Sequence, residues 1–293
     1  MNFTPQSTKD GSFTFFSEEF DEAFHSIYGA KQEAEVKFVT PTELRKLAKT
    51  QTKIKILDIC YGLGYNSAAA IAAIWIINPQ CQIELVALEI NSSVPQSAIA
   101  NSLLDTWQTP IPNLLTELAN QQRASRDNFH GELLLGDARQ TIQKLVNQNW
   151  QADAIFLDPF SPPKCPQLWT IEFIALVASC LAPTGKLATY SCAAAVRTAL
   201  TTAGLSYGST PGMGRKAPGT LAAWDANFVA ISEQEREHLN TRAAIPYRDH
   251  NLRATATEIK SLRIKEQAQS TLESTSKWKK RWQHKLADQK IDG

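Results

Sequence analysis

The sequence has no apolar run long enough to cross a bilayer. Its most apolar stretch, Ala68–Ile77, is about half of a roughly 20-residue span and is followed by Asn78-Pro79, so it reads as a buried helix. The N-terminal MNFTPQSTKDGS lacks the basic-then-apolar pattern of a secretory signal. The five cysteines (Cys60, Cys81, Cys165, Cys180, Cys192) include no C-x-x-C pair, and an odd number cannot all pair internally. Buried free thiols in a reducing cytoplasm are the expectation. The histidines (His25, His130, His238, His250, His284) show no metal-ligand spacing, so no metal is implied. Net charge is nearly absent too: 30 Lys and Arg against 29 Asp and Glu leave +1, which selects no partner.

That balance hides an asymmetry. Between Leu252 and Lys290 stand ten Lys or Arg and four Asp or Glu, so one end is positive and the rest of the chain is net negative. Such a distribution suits an anionic partner. A length of 293 residues admits one large α/β domain plus an appendage, or two small domains.

From Ile54 onward strands and helices alternate. Ile54–Cys60 is a β-branched strand, 61–66 a glycine-bearing turn, and Ser67–Ile77 a helix stopped by Asn78-Pro79. Gln82–Glu89 is a second strand and Pro95–Thr106 a helix. Glu132–Leu135 is a third strand, with a helix over Ala138–Asn147. Ala154–Asp158 is a fourth strand that ends in the loop PFSPPKCP. A helix over Trp169–Leu181 breaks at Pro183, Gly185–Ser191 is a fifth strand, and Ala193–Ala203 is a helix closed by Gly204. Leu205–Ser209 and Thr220–Ile231 can pair as a terminal antiparallel hairpin. The expected fold class is α/β and Rossmann-like, a mostly parallel sheet covered on both faces over residues 51–231. Residues 1–50 form an aromatic-rich N-terminal extension. Residues 232–293 form a basic, helix-prone C-terminal one, too poor in large apolar residues to fold alone.

The first strand and helix are joined by Asp58-Ile-Cys-Tyr-Gly62-Leu-Gly64-Tyr-Asn66. Gly62 and Gly64 permit a tight turn and close backbone approach to a ligand, and the helix that follows offers free N–H groups. Glu89 ends the second strand, where an acid can accept from the vicinal hydroxyls of an adenosine ribose; a solvated strand-end acid is the plain alternative. Asp137 follows the third strand, where it can meet an adenine amino group or simply cap a helix. A dinucleotide fingerprint would carry a third glycine where Ser67 stands. The segment looks instead like the methyltransferase motif D-x-G-x-G-x-G, with Cys60 in place of its first glycine. S-adenosylmethionine is therefore the favoured cofactor.

The fourth strand delivers Asp158-Pro-Phe160-Ser-Pro-Pro to the carboxyl edge of the sheet, where ligands bind in such folds. This resembles the acid/amide-Pro-Pro-aromatic loop of amino-methyltransferases. Methylating nitrogen requires a neutral amine lone pair aimed at the methyl group. Asp158 can orient the amine and take its proton, worth roughly 10²–10⁴-fold as a general base. Phe160 can stack on a base or contact a sulfonium. Ser191, Arg197, and Arg215 and Lys216 in the loop GMGRK are secondary candidates for substrate binding.

In this order, DGSFTFFSEEFDEAFHSIYGAKQEA, CYGLGYN, LDPFSPPKCPQLW, ATYSCAAAVRTAL and GMGRK resemble the methyltransferase domain of the MnmC family, whose stand-alone form is MnmD. The likeness covers roughly Thr8–Ile231. It implies S-adenosylmethionine as donor and tRNA as partner. The acceptor it implies is the primary amine of 5-aminomethyl-2-thiouridine at the wobble position. It assigns Asp158 and Phe160 to the reactive loop and Gly62, Gly64, Asn66, Glu89 and Asp137 to cofactor positions. Bifunctional members carry a second, flavin-dependent domain for which this chain has no length, so methylation alone is expected. Two rivals remain: an aminopropyltransferase of the spermidine synthase type, which wants more acids around the loop, and a non-catalytic tRNA-binding protein, hinted at only by Cys60.

Overall fold

The computed structural model describes residues 3–212, 217–225 and 228–288. One eight-stranded sheet organises them, built from β1 (Lys53–Ile59), β2 (Gln82–Glu89), β3 (Arg123–Arg126), β4 (Phe129–Leu135), β5 (Ala152–Leu157), β6 (Leu181–Thr189), β7 (Ser206–Thr210) and β8 (Gly219–Ala223). Their spatial order is β7-β8-β6-β5-β1-β2-β4-β3. Pairing is parallel from β6 through β5, β1 and β2 to β4. It is antiparallel for β3 with β4 and for β8 with both β6 and β7. The inner strands read as nearly unbroken apolar runs, KIKILDI and ADAIFL, because both of their faces are covered.

One face packs on α1 (Leu44–Thr50), α2 (Tyr65–Trp75), α3 (Ser93–Ala100) and α4 (Ile111–Gln121). The other packs on α5 (Ala138–Asn147), α6 (Ile171–Ser179) and α7 (Ala194–Thr202). The chain leaves β1 toward β2 on one side and reaches β5 on the other, so the strand order reverses between β1 and β5. A crevice opens at such a switch point, beyond the carboxyl ends of the strands.

Several expectations shift by a turn or a strand. The strand Arg123–Arg126 and the helix Ile111–Gln121 are additions to the expected elements; Arg-Ala-Ser-Arg has no apolar alternation because it lies at the sheet edge, mostly exposed. The helix expected at Pro95–Thr106 runs Ser93–Ala100, where Pro95 is accommodated in the first turn. The helix before β6 starts at Ile171 because the Thr170 hydroxyl caps it, accepting from Phe173 N–H at 3.2 Å. It ends at Ser179, since Leu181 already pairs with Ala152 of β5. The closing hairpin's second strand ends at Ala223 rather than at Ile231.

Both extensions pack against the sheet domain. The N-terminal residues form two small ribbons, a turn of α-helix (Ala30–Glu33) and a π-helical stretch (Ala34–Val39) whose Phe38 is buried in the first core. The C-terminal residues form α8 (Glu233–His238), α9 (Ala256–Gln269) and α10 (Thr275–Asp288), and bury Tyr247 and Ile259 in the second core. Arg139 ties this segment down through Asp249 at 2.7 Å. Trp278 and Trp282 are buried, with Trp278 stacked on His238 at 4.6 Å. No helix among the described residues is long and apolar enough to cross a membrane.

Candidate active site

The turn after β1 takes the shape its glycines allow: φ is +55° at Gly62 and +84° at Gly64, which caps α2. A Cβ at Gly64 would stand 2.7 Å from Tyr61 Oη, so nothing larger fits without repacking. Cys60 adopts φ +67°, the left-handed conformation that glycine would take at the first motif position. The turn is made despite the cysteine, at a cost of roughly 1–2 kcal/mol in backbone strain.

Three carboxylates converge around this turn. Asp58, fully buried at the end of β1, accepts from the Ser67 hydroxyl at 2.6 Å. Glu89, at the end of β2, accepts from Gly62 N–H and Asn91 N–H, each at 2.9 Å. Asp158, half-buried just beyond β5, accepts from the Asn66 amide at 2.8 Å. That last bond spans the switch point, joining the first turn of α2 to the loop after β5. All these partners are neutral. Burial pushes the Asp58 carboxyl up to about 7, with Glu89 adding to the effect. Burial likewise raises Glu89, and raises Asp158 well above the usual carboxylate range with a contribution from Glu33. Three acids with raised affinity for protons suit a cationic ligand, which would draw them back toward ionisation.

The surroundings of Asp158 are not foreshadowed by the sequence pattern. The Phe160 ring stacks on Phe20 with centroids 4.4 Å apart and meets the Phe24 ring edge at 5.1 Å. Glu22 accepts from Ser161 N–H at 2.9 Å and also bonds its hydroxyl, and Asp21 pairs with Lys164 at 3.0 Å. From the opposite side Tyr190 Oη donates to Pro159 O at 2.8 Å, and Trp169 Nε1 donates to Phe160 O at 2.9 Å. The N-terminal segment is therefore one wall of the reactive loop. FTFF and EEFDEAF show their aromatic content, but no periodicity says over which crevice they lie.

Other candidates are placed differently from expectation. Asp137 caps α5, accepting from Arg139 N–H at 2.9 Å, and its carboxylate also pairs with the Arg139 guanidinium at 2.6 Å. Arg197 is only 1% exposed and directs its donors at Thr220, Ser209 and Glu235. It braces α7 against the hairpin and α8 rather than offering charge to a substrate. The Ser191 hydroxyl is buried and accepts from Ala193 N–H at 3.3 Å, stabilising the turn into α7. Both side chains are thus held by bonds within the fold. Arg215 and Lys216 lie outside the described residues; the ends of their loop are tied by Lys37 Nζ, which donates to Pro211 O at 2.9 Å and Ala217 O at 3.5 Å.

Asp58 Oδ1, Tyr61 Oη and Asn66 Oδ1 are buried and have no hydrogen-bond partner among the described residues. Orphaned buried polar atoms are costly and mark where a ligand completes a site. A glycine turn, an acid ending β2 and unpaired acceptors at the switch point fit an adenosine cofactor with a positively charged tail.

A family model described as S-adenosyl-L-methionine-dependent methyltransferase matches residues 77–225. The crystal structure of MnmC2 from Aquifex aeolicus is 32% identical, with a TM-score of 0.80, covering 92% of this chain and 86% of that one. The chain belongs to the MnmC family of S-adenosylmethionine-dependent methyltransferases. Among other members, the tRNA 5-methylaminomethyl-2-thiouridine biosynthesis bifunctional protein MnmC of Ralstonia nicotianae is 30% identical over 239 residues, 77% of this chain and 35% of that protein. The chain thus spans about a third of the length of that bifunctional relative. An uncharacterized protein of Methanocaldococcus jannaschii is 29% identical over 260 residues, 86% of this chain and 69% of its own length. As a member of the MnmC family this chain is an enzyme that uses S-adenosylmethionine, and the glycine turn, which precedes the residues matched by the family model, rests on its own geometry.

Proposed function

We propose that this chain methylates the primary amine of 5-aminomethyl-2-thiouridine at the wobble position of cytoplasmic tRNA. The observation that carries the reading is Asp158: a half-buried carboxylate at the switch point, raised in pKa, held on one oxygen by Asn66 and open on the other.

S-adenosylmethionine supplies an electrophilic methyl group on a positively charged sulfur. The backbone of Gly62 and Gly64 lets it approach β1, Glu89 accepts from its ribose hydroxyls, and Asp137 keeps lone pairs for the adenine amino group. Asp58 lies where its amino-acid end would face the turn. Asp158 accepts one N–H of the substrate amine, fixes the lone pair, and takes the proton shed after transfer; its raised pKa suits that last step. Phe160, stiffened by Phe20 and Phe24, offers a flat apolar surface to the modified base. The exposed Lys277, Lys279 and Lys280 on α10 supply positive charge for the phosphate backbone. The two buried indoles of the same helix are packing, and Arg281 is committed to Glu237 and Glu273.

An aminopropyltransferase would need free acids at the loop to hold a polyamine. Glu22 and Asp21 are near, but they are spent on Ser161 and Lys164. The test is incubation of the purified chain and S-adenosylmethionine with tRNA carrying either the aminomethyl or the carboxymethylaminomethyl group, and with putrescine. Methylation of the first alone is expected. Reaction of putrescine, or of carboxymethylaminomethyl-tRNA, contradicts the proposal.

A further inference from the structure

The Asn66 side chain bridges the two halves of the crevice. It is 3% exposed and sits in the first turn of α2. Its Nδ2 donates to Asp158 Oδ2 at 2.8 Å. Ionised by a cationic ligand nearby, Asp158 only accepts, so this bond then fixes which way the amide faces and leaves Oδ1 on the other branch. Oδ1 has no donor among the described residues. The backbone acceptors of the reactive loop each already carry one donor: Pro159 O takes the Tyr190 hydroxyl and Phe160 O takes the Trp169 indole. Among the described residues Asn66 is the side-chain partner of Asp158, through Oδ2, so the second carboxylate oxygen is open to accept as well.

We infer that Asn66 Oδ1 and the free Asp158 oxygen together accept the two N–H bonds of a neutral primary amine, and that this pair limits the enzyme to a single methylation. Two geminal N–H bonds held by two acceptors leave the nitrogen one free direction, its lone pair, which must then point at the methyl donor. Once a methyl has been added only one N–H remains on the neutral amine. A second round would have to leave one buried acceptor unpaired and place a methyl group against it, and sites built to pair a substrate N–H reject analogues that lack it. Asn66 thereby does two jobs through one amide: its nitrogen positions Asp158, and its oxygen reads how many hydrogens the amine carries. The inference rests on the proposed amine methylation.

The test compares kcat/KM for RNA carrying aminomethyluridine with that for RNA carrying methylaminomethyluridine, at saturating S-adenosylmethionine. Wild type, Asn66→Ala and Asn66→Asp are assayed, with cofactor affinity measured by calorimetry. Wild type should prefer the primary amine by at least about tenfold. In Asn66→Ala both amines should react more slowly as Asp158 loses its support, but the primary amine should lose at least about tenfold more than the secondary, so the preference collapses. Asn66→Asp keeps an acceptor oxygen and can share one proton with Asp158, so it should keep the preference while shifting the pH profile. Equal losses on both substrates in Asn66→Ala would reduce Asn66 to a support for Asp158, and a matching loss of cofactor affinity would make it a cofactor ligand; either overturns the inference alone. Loss of the preference in a folded Asn66→Asp overturns it too. If wild type methylates neither RNA, the proposed function fails and the inference with it.

Discussion

Replacing Asp58 by Asn should stabilise the cofactor-free protein at alkaline pH and weaken its hold on S-adenosylmethionine. The carboxyl is fully buried, hydrogen-bonded through Oδ2 to Ser67, and unpartnered at Oδ1 among the described residues. Its pKa rises from 3.8 to about 7 on folding. The folded chain therefore binds this proton more tightly than the unfolded chain does. Stability falls as pH climbs from the unfolded value through the folded one, and above about 7 the full penalty is present. At about 1.4 kcal/mol per unit the whole shift has an upper bound of about 4 kcal/mol, of which about 2 kcal/mol accumulates above pH 5.5. An asparagine in its place can still accept the Ser67 hydroxyl but cannot ionise. The melting temperature of Asp58→Asn, measured without cofactor, should exceed that of wild type by about 4 °C more at about pH 8.5 than at about pH 5.5. Calorimetry should show at least about tenfold weaker binding of S-adenosylmethionine, because a buried anion facing a cation has been neutralised. An advantage that is the same at both pH values would refute the reasoning, since it would place the ionisation of Asp58 outside the folding equilibrium.

Glu89→Ala should weaken S-adenosylmethionine binding by about 1.5–3 kcal/mol, because the ribose hydroxyls lose a charged acceptor; an unchanged dissociation constant places the ribose elsewhere. Cys60→Gly should raise stability by roughly 0.5–1 kcal/mol in denaturant titrations, relief of the left-handed strain exceeding glycine's entropic cost, whereas a loss would mean that the thiol's packing outweighs the strain. Replacing Lys277, Lys279 and Lys280 together by Ala should flatten the salt dependence of tRNA binding by roughly 0.7–0.9 in slope for each phosphate that is no longer neutralised, with cofactor affinity unaltered; an unchanged slope removes α10 from the RNA interface.

The parallel core is legible because its strands are apolar runs bounded by turn residues, and because Gly62, Gly64, Glu89 and Asp158 fall on successive strand ends. Periodicity reports burial, so it fails where burial is low: Arg123–Arg126 is an edge strand with three of its four residues exposed. It also cannot report contacts between distant segments. Asn66 and Asp158 are 92 residues apart, and Glu22 and Ser161 are 139 apart, yet these pairs shape the site. Arg197 is a related case. A cation near a crevice in sequence reads as a ligand group, but the hairpin and α8 supply Ser209, Thr220 and Glu235 to satisfy it internally. The tryptophans of the basic tail stand among four cations in sequence, yet both are buried, Trp278 stacked on His238 and Trp282 on Trp278.

The most direct test of the central claim is single-turnover methyl transfer to aminomethyl-tRNA by wild type and Asp158→Ala, with the product nucleoside read by mass spectrometry. Wild type should convert the aminomethyl to the methylaminomethyl nucleoside. Asp158→Ala should be folded, should bind S-adenosylmethionine within about threefold of wild type, and should transfer at least about tenfold more slowly. Transfer by Asp158→Ala at the wild-type rate would contradict the claim that this carboxylate, at the switch point of the sheet, is where the amine is held.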